Sequence, residues 1–463
     1  MRNLVVLLLA FPQLAWAQVI PNEVIVRWKL GVTSDERAAV RVQANAQIIR
    51  EFRFIEAEHL KLADDAISRL QNDPRVEYIE PNQMIRPAIM PNDPRFSEQW
   101  SLQNTGQTGG TAGADIDAVP AWSVYTGDSN LLIGVIDSGI DYNHPDLTGN
   151  VWTNLGEIPS NGLDDDNNGY VDDIHGYDIV NDDGDPWDDL YHGTHVSGII
   201  AASGNNGVGI SGVNWQAKLV GIKIFDKCGF GSVADGVAAF EYALAVGVRL
   251  TNNSWGYTGA PNQALIDAIN ACAEAGQICV AAAGNFNQDT DAFPFYPSSY
   301  DLPSIISVMA TDHNDTKPTF SNYGLVTVDL GAPGVNILST ESSEVGGGYG
   351  IRSGTSMACP HVAGAVALAM GLFPSATSVQ IKQFILDGVD VLPSLSGKCV
   401  TGGRLNLLQS ITAPVTSVPP EQFVTPARDG YYDLAGRRLK APPKAGLYWK
   451  VNGGKARKGV IYR

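Results

Sequence analysis

Basic residues are in deficit: 31 Lys and Arg face 49 Asp and Glu, a formal net charge of −18. A nucleic-acid binder needs a basic footprint, and at whole-chain level none exists. Charge of either sign is modest at 17%, against 44% hydrophobic residues, which excludes disorder as a description of the whole chain. Long apolar runs are missing as well. Beyond the first residues none reaches the roughly 18 that a bilayer-spanning helix needs. Cysteine is scarce and odd in number: Cys228, Cys272, Cys279, Cys359 and Cys399. At least one thiol is therefore free or paired between molecules. Five choices of the spare thiol and three pairings of the rest give fifteen arrangements, a Cys272–Cys279 bridge among them. A core this large does not depend on disulfides.

What is present is a chain of 463 residues with 49 Gly and 26 Pro, long enough for two to four domains. Residues 1–17 read as a secretory signal: Arg2 is the positive start, Leu4 to Phe11 the apolar stretch, and Ala15-Trp16-Ala17 the small-x-small cleavage site. The mature protein is expected to be exported, secreted or extracellular. Residues 18–88 alternate as βαββαβ, with Ser34 capping the first helix, the pattern of a small ferredoxin-like α+β domain. Pro87, Pro91 and Pro94 then punctuate an exposed linker.

From 89 to 411 the pattern changes. Short apolar runs such as Leu131 to Ile136, Lys218 to Phe225, Gln277 to Ala283 and Ile305 to Met309 alternate with helical stretches such as Val233 to Ala245 and Val362 to Leu372. That is the signature of an α/β domain, a parallel sheet with helices on both faces. Residues 412–420 form a Pro/Thr/Ser linker, and 421–463 a short β-rich tail. The tail carries 10 Lys/Arg against 3 Asp/Glu, leaving 21 against 46 elsewhere, which marks it as a separate unit.

Three polar residues stand where an α/β sheet collects its ligands. Asp137 ends the strand Leu131 to Ile136; His192 opens Gly193-Thr194-His195-Val196 at the mouth of an apolar helix; Ser356 lies in Gly354-Thr355-Ser356-Met357-Ala358-Cys359-Pro360-His361, again before an apolar helix. A serine hydroxyl needs a base to take its proton, imidazole suits that role, and a buried carboxylate fixes the imidazole's tautomer. Alone, a strand-end Asp is usually a turn residue and a Ser before a helix usually a cap. Together and in order, they specify nucleophilic catalysis. The missing G-x-S-x-G elbow, and a serine that comes last, argue against a lipase-type hydrolase.

These motifs resemble those of the subtilisin-like serine proteases over about residues 95 to 410. The resemblance implies a secreted serine endopeptidase in which Asp137 orients, His192 is general base and then acid, and Ser356 is the nucleophile. It makes Asn285, in Ala282-Ala283-Gly284-Asn285, a donor to the tetrahedral oxyanion. It places protein or peptide substrates, paired as an added strand, between Gly229 and Gly231 on one side and Ser254, Trp255 and Gly256 on the other. Ala283 and Gly284 would line the pocket for the residue before the cleaved bond, with Phe293 to Pro297 as its floor. His195 and His361 read as structural.

Asp164, Asp166, Asn168, the Tyr170 carbonyl and Asp172 fit positions 1, 3, 5, 7 and 9 of an EF-type loop, with Gly169 at the turn. His175 replaces the bidentate Glu, so the loop is not a true EF-hand, but its carboxylates repel unless a cation such as Ca²⁺ neutralises them. Asp182, Asp183, Asp185, Asp188 and Asp189 make a second, weaker candidate. The family resemblance implies a further calcium site pairing Asp146 with Asn206, and Gln99 is a third ligand to test. No organic cofactor is expected.

The N-terminal unit resembles the family's inhibitory prodomain, making the chain a self-processing zymogen with its own prodomain as intramolecular inhibitor. Cleavage is expected between Met84 and Asn92. Tyr432 to Arg438 with Gly446 to Tyr448 resembles bacterial C-terminal sorting domains, which implies attachment at the cell surface. A small basic module that binds an acidic surface is the alternative. The competing class for the whole is a non-catalytic binding protein on the same scaffold.

Overall fold

A computed structural model describes residues 19–62, 67–83 and 89–412, with four strands of the tail. The signal segment, and most of the stretch from Met84 in which cleavage is expected, lie outside the described residues.

The N-terminal domain runs β1 (Val19–Trp28), α1 (Ser34–Gln43), β2 (Gln47–Phe52), β3 (Ala57–Lys61), α2 (Ile67–Gln71) and β4 (Val76–Gln83). Its antiparallel sheet has the order β2-β3-β1-β4, which is the ferredoxin-like arrangement that the alternation implied. Thr33, not Ser34, caps α1: its hydroxyl accepts the Glu36 N–H while Glu36 returns to the Thr33 N–H. One face of the sheet buries Val24, Val26, Trp28 and Leu60 against Val40 and Leu70 of the two helices.

The large domain runs α3 (Ala118–Trp122), β5 (Gly127–Asp137), β6 (Gly176–Asp178), α4 (His192–Ala201), β7 (Gln216–Lys223), α5 (Val233–Ala245), β8 (Leu250–Asn253), β9 (Tyr257–Thr258) and α6 (Gln263–Glu274). It continues through β10 (Ile278–Ala282), β11 (Phe295–Tyr296), β12 (Ile305–Thr311), β13 (Leu330–Pro333), β14 (Ile337–Thr340), β15 (Tyr349–Arg352), α7 (Thr355–Leu372), α8 (Ser378–Asp387), β16 (Asp390–Val391), β17 (Gly403–Arg404) and α9 (Leu407–Thr412). Nine strands form one sheet, β6-β7-β5-β8-β10-β12-β13-β17-β16, parallel except for β16 at one edge. Buried on both faces, its strands are apolar runs: every residue of β10, β12 and β13 is buried.

On one face Ile136, Val220 and Ile222 meet Phe240 and Ala243 of α5 and Leu265 and Ile269 of α6. On the other, α4 packs against α7. Helix α7 is apolar all round because it is enclosed all round. By length and composition it is a candidate membrane span, but 83% of it is buried inside the protein.

All five cysteines are free thiols. The Cys272–Cys279 bridge is therefore not formed. Cys272 Sγ donates to the Phe240 carbonyl at 3.3 Å, while Cys279 Sγ accepts from Asn253 at 3.2 Å. The two thiols are spent on separate partners.

A second compact unit begins at Pro414. Its described strands are β18 (Gly430–Tyr432), β19 (Arg438–Leu439), β20 (Gly446–Asn452) and β21 (Lys455–Ile461), an antiparallel sheet of order β19-β18-β20-β21. Ala435 and Gly436 of the sorting-like motif lie outside the described residues.

Phe240 is 1% exposed in the α5–α6 core. Phe240→Ala is expected to destabilise the domain by about 3–5 kcal/mol. The check is a urea midpoint that falls while the slope is unchanged.

Candidate active site

Strand β5 lies inside the sheet between β7 and β8, so its carboxyl end is held from both sides. That end is Asp137, fully buried. Its Oδ1 accepts the Ser138 N–H at 2.8 Å and His192 Nδ1 at 2.8 Å. Its Oδ2 is buried with no partner among the described residues. Burial, the largest influence on His192, works against the imidazolium. The Asp137 charge and hydrogen bond, with Asp188 beyond them, more than offset it, and the His192 pKa is raised.

His192 is the first residue of α4, and a helix start leaves backbone N–H groups unpaired. Asp188 supplies the acceptors. Its Oδ1 takes the Leu190 and Tyr191 N–H groups and the Ser138 hydroxyl; its Oδ2 takes the Thr194 N–H and hydroxyl. Ser138 in turn accepts the Gly193 N–H at 2.8 Å. One buried carboxylate thus ties the end of β5 to the start of α4.

Ser356 is the second residue of α7. In a helix its carbonyl would accept from residue 360, but Pro360 has no N–H to give. The Ser254 hydroxyl donates to that carbonyl instead, at 3.0 Å. The Ser356 hydroxyl returns to the Ser254 carbonyl at 3.1 Å. In this arrangement the Ser356 hydroxyl is held by Ser254 rather than by His192. Asn285 is exposed, and its Oδ1 accepts both the Thr355 N–H (2.8 Å) and hydroxyl (3.0 Å). Its oxygen is thereby committed to Thr355, the residue before Ser356.

His192, Gly229, Gly231, Ser254, Trp255 and Gly256 line one cleft of about 400 Å³, with Leu190, Tyr191 and Phe225 supplying apolar wall. A Cβ on Gly231 would lie 2.1 Å from the Ile224 carbonyl, so only glycine permits this rim. Gly284 (φ +100°) backs onto Asn322 and Phe295. Ala283 departs from expectation. Its side chain is buried with Met309, Val328 and Leu395, so only its backbone is available to a pocket. Phe293 is 63% exposed; Phe295, buried against Gly256 and Gly284, closes that side through the β9–β11 pair. His195 and His361 are buried, with pKa values pushed by burial down to about 3 and about 4, and His361 Nδ1 donates to the Met357 carbonyl. Both are neutral structural groups.

The acidic loops sort differently from the reading of the sequence. Glu157, Asp164 and Asp166 converge, with carboxylate oxygens within 4.8 Å of one another. Glu157, absent from the expected set, is buried and also accepts the Asp165, Asp166 and Asp172 N–H groups. Asp172 is not in that group; its two oxygens accept the Asn161 and Gly162 N–H groups. The Asn168 oxygen accepts the Tyr170 N–H, and the Tyr170 ring packs on Tyr177 and Tyr242, which fixes the loop to the core. In the second run, Asp182 and Asp185 accept tyrosine hydroxyls, Asp188 caps α4 and Asp189 pairs with Lys223 at 2.6 Å. That run is structural.

Asp146 and Asn206 do meet, Nδ2 to Oδ1 at 2.9 Å. Asp93, missed in the sequence although Pro91 and Pro94 frame it, joins them by accepting the Asn205 and Asn206 N–H groups. Gln99 does not join: its amide is spent on the Ser211 backbone. Burial raises both Asp93 and Asp146, and the Asp93 charge adds to the rise at Asp146.

Residues 128–403 match the model of the subtilase family, and residues 10–82 that of the fervidolysin N-terminal prodomain. A thermophilic serine proteinase of Bacillus sp. is 35% identical over 85% of this chain and 88% of its own length. Subtilisin-like protease 1 of Plasmodium berghei is 36% identical over 62% of this chain, which spans half of that protein's length. A protease from Pseudoalteromonas arctica, solved as a structure, is 27% identical with a TM-score of 0.56, covering 70% of this chain and 99% of that one. With prodomain, sheet and cleft all accounted for, the chain belongs to the subtilase family, as a subtilisin-like serine endopeptidase.

Proposed function

We propose that the chain is an exported, calcium-stabilised zymogen that hydrolyses peptide bonds through Asp137, His192 and Ser356. The observation that carries this reading is the 2.8 Å bond from His192 Nδ1 to the fully buried Asp137, beside a cleft edged by Ser254. That bond leaves Nε2 as the basic nitrogen. On substrate binding, Nε2 takes the Ser356 proton as the hydroxyl adds to the scissile carbonyl. Catalytic hydrogen bonds that are loose in a free enzyme tighten in the complex. The Asn285 amide and the Ser356 N–H at the start of α7 donate to the oxyanion. His192 then gives its proton to the leaving amine, and water repeats the sequence on the acyl-enzyme. An extended peptide would pair between Gly229–Gly231 and Ser254–Gly256.

The ferredoxin-like domain is read as the inhibitor, removed by the chain's own active site. Export rests on the first 17 residues, and surface attachment on the basic tail.

The two acidic sites fit a hard cation. Each gathers carboxylate oxygens, and no Lys or Arg ion pair compensates them among the described residues. Glu157, Asp164 and Asp166 would hold one Ca²⁺, Asp93 and Asp146 with the Asn206 oxygen another. A cation there supplies folding energy, with no part in the reaction.

A fluorophosphonate probe is expected to label the processed chain, and Ser356→Ala to abolish labelling and leave the prodomain attached. Absence of Ser356-dependent labelling sinks the protease reading. Normal trimming of that variant assigns processing to another protease.

Because His192 is raised, the active neutral form is lost on acidification earlier than for an ordinary imidazole. The acid limb of kcat/KM should lie above about pH 6.5. Asp137→Asn should lower kcat by about 10⁴.

Asp93 and Asp146 are raised in the folded state, so in chelated protein their contribution is full below the unfolded value and declines as pH rises through the folded one. Chelation should therefore lower Tm most at neutral and alkaline pH. Calcium at about a hundredfold excess over Kd should return roughly 2.7 kcal/mol. An unchanged melt removes the calcium claim.

A further inference from the structure

We infer that Arg352 is a positioning residue for His192, acting through the ring of Tyr191. The inference rests on the triad reading above. Tyr191 precedes His192 and has φ +142°, a region that bulky L-residues rarely occupy. A conformation of this kind persists only where its surroundings over-determine it. Two contacts do so here. Asp188 Oδ1 accepts the Tyr191 N–H at 2.9 Å, and the Arg352 guanidinium lies 3.7 Å from the centre of the Tyr191 ring.

Arg352 is itself held. It ends β15 and pairs with Glu341, just beyond β14, at 2.6 Å. Gly350 makes this geometry possible: a Cβ there would overlap the Glu341 carboxylate at 2.2 Å. The β14–β15 hairpin also docks on α4, with Ser339 and Thr340 donating to the His195 and Thr194 carbonyls and Ser342 to that of Asp188. Four residues after Arg352 the same chain delivers Ser356. The hairpin therefore connects the base-bearing helix to the nucleophile. Arg352 is its contact with the residue whose strained backbone leads into His192.

The groups around His192 have opposite effects. Asp137 from β5 and Asp188 from the segment before α4 favour its charged form; Arg352 from β15 disfavours it, and His195 lies one turn along α4. Removing the guanidinium should loosen the ring and raise the His192 pKa.

The test compares Arg352→Met, which keeps an apolar stem, Arg352→Lys, which keeps charge without the flat stack, and Tyr191→Gly, which accepts the backbone angle without a ring. Three readouts are taken: thermal melts, the kcat and KM pH profile, and NMR titration of His192 in a Ser356→Ala background. Arg352→Met and Tyr191→Gly should lower kcat roughly tenfold or more with KM little changed, as expected when a reacting group is misplaced. Arg352→Met should also move the His192 titration to higher pH. Arg352→Lys should keep the titration in place and lose part of kcat. Folded Arg352→Met with wild-type kcat and an unmoved titration overturns the inference, as does a loss confined to the melt. Failure of the wild-type chain to react with fluorophosphonate would instead overturn the protease reading, while the NMR titration would still decide for or against Arg352.

Discussion

A carboxylate with no access to water at the end of a central strand is the constraint on which this structure turns. Asp137 is fully buried, and among the described residues only the His192 ring and the Ser138 N–H compensate it. Burying such a charge unpaired is costly enough that the surroundings must either pair it or protonate it. Here they pair it, and the bond fixes the imidazole's tautomer and its direction together. The second buried carboxylate, Asp188, makes the pairing geometrically possible by drawing Ser138 and the first turn of α4 to one point. An apolar residue in place of Asp188 would free the Leu190, Tyr191 and Thr194 N–H groups, and one in place of Asp137 would free the Ser138 N–H and the His192 ring.

Asp137, His192 and Ser356 come from three elements that pack against one another rather than from one loop. Asp137 rides on the sheet, His192 on α4 and Ser356 on α7, and α4 lies against α7. A glycine in each helix lets a neighbouring segment close in on it. A Cβ on Gly198 would collide with Thr340 and Ser339, and one on Gly364 with Val213. Pro360, inside α7, does chemical rather than steric work: by withholding its N–H it frees the Ser356 carbonyl for Ser254 and so couples the nucleophile to the cleft edge.

What the sequence made legible and what it hid divide along the range of the interaction. The strand end at Asp137 and the helix starts at His192 and Ser356 were readable because each lies in a short contiguous motif. The βαββαβ domain was readable because its alternation is local. Glu157 was hidden because it lies seven residues before Asp164, outside the loop spacing, while Asp172 fitted that spacing but turned to Asn161 and Gly162. Asp188 looked like one more acid in an acidic run, and only the fold shows it capping α4. The cation–π contact of Arg352 with Tyr191 joins residues 161 positions apart, beyond the reach of any pattern. Ala283 lay in the right segment, but its side chain is packed in the core with Met309, Val328 and Leu395.

The placement of the second acidic site separates stability from chemistry. Asp146 accepts the Ser203 N–H through its carbonyl and the Ile210 N–H through its carboxylate, both just past the far end of α4. His192 stands at the opposite end of that helix, and the charges that most affect it are Asp137, Asp188 and Arg352, not Asp93 or Asp146. A cation at Asp93 and Asp146 would therefore have little influence on the protonation of His192. Its effect would be to relieve the repulsion between two buried carboxylates and so hold the 203–210 loop, and with it the last turn of the helix whose first turn carries the base. Cation and catalysis would then be coupled through the rigidity of α4, not through the field.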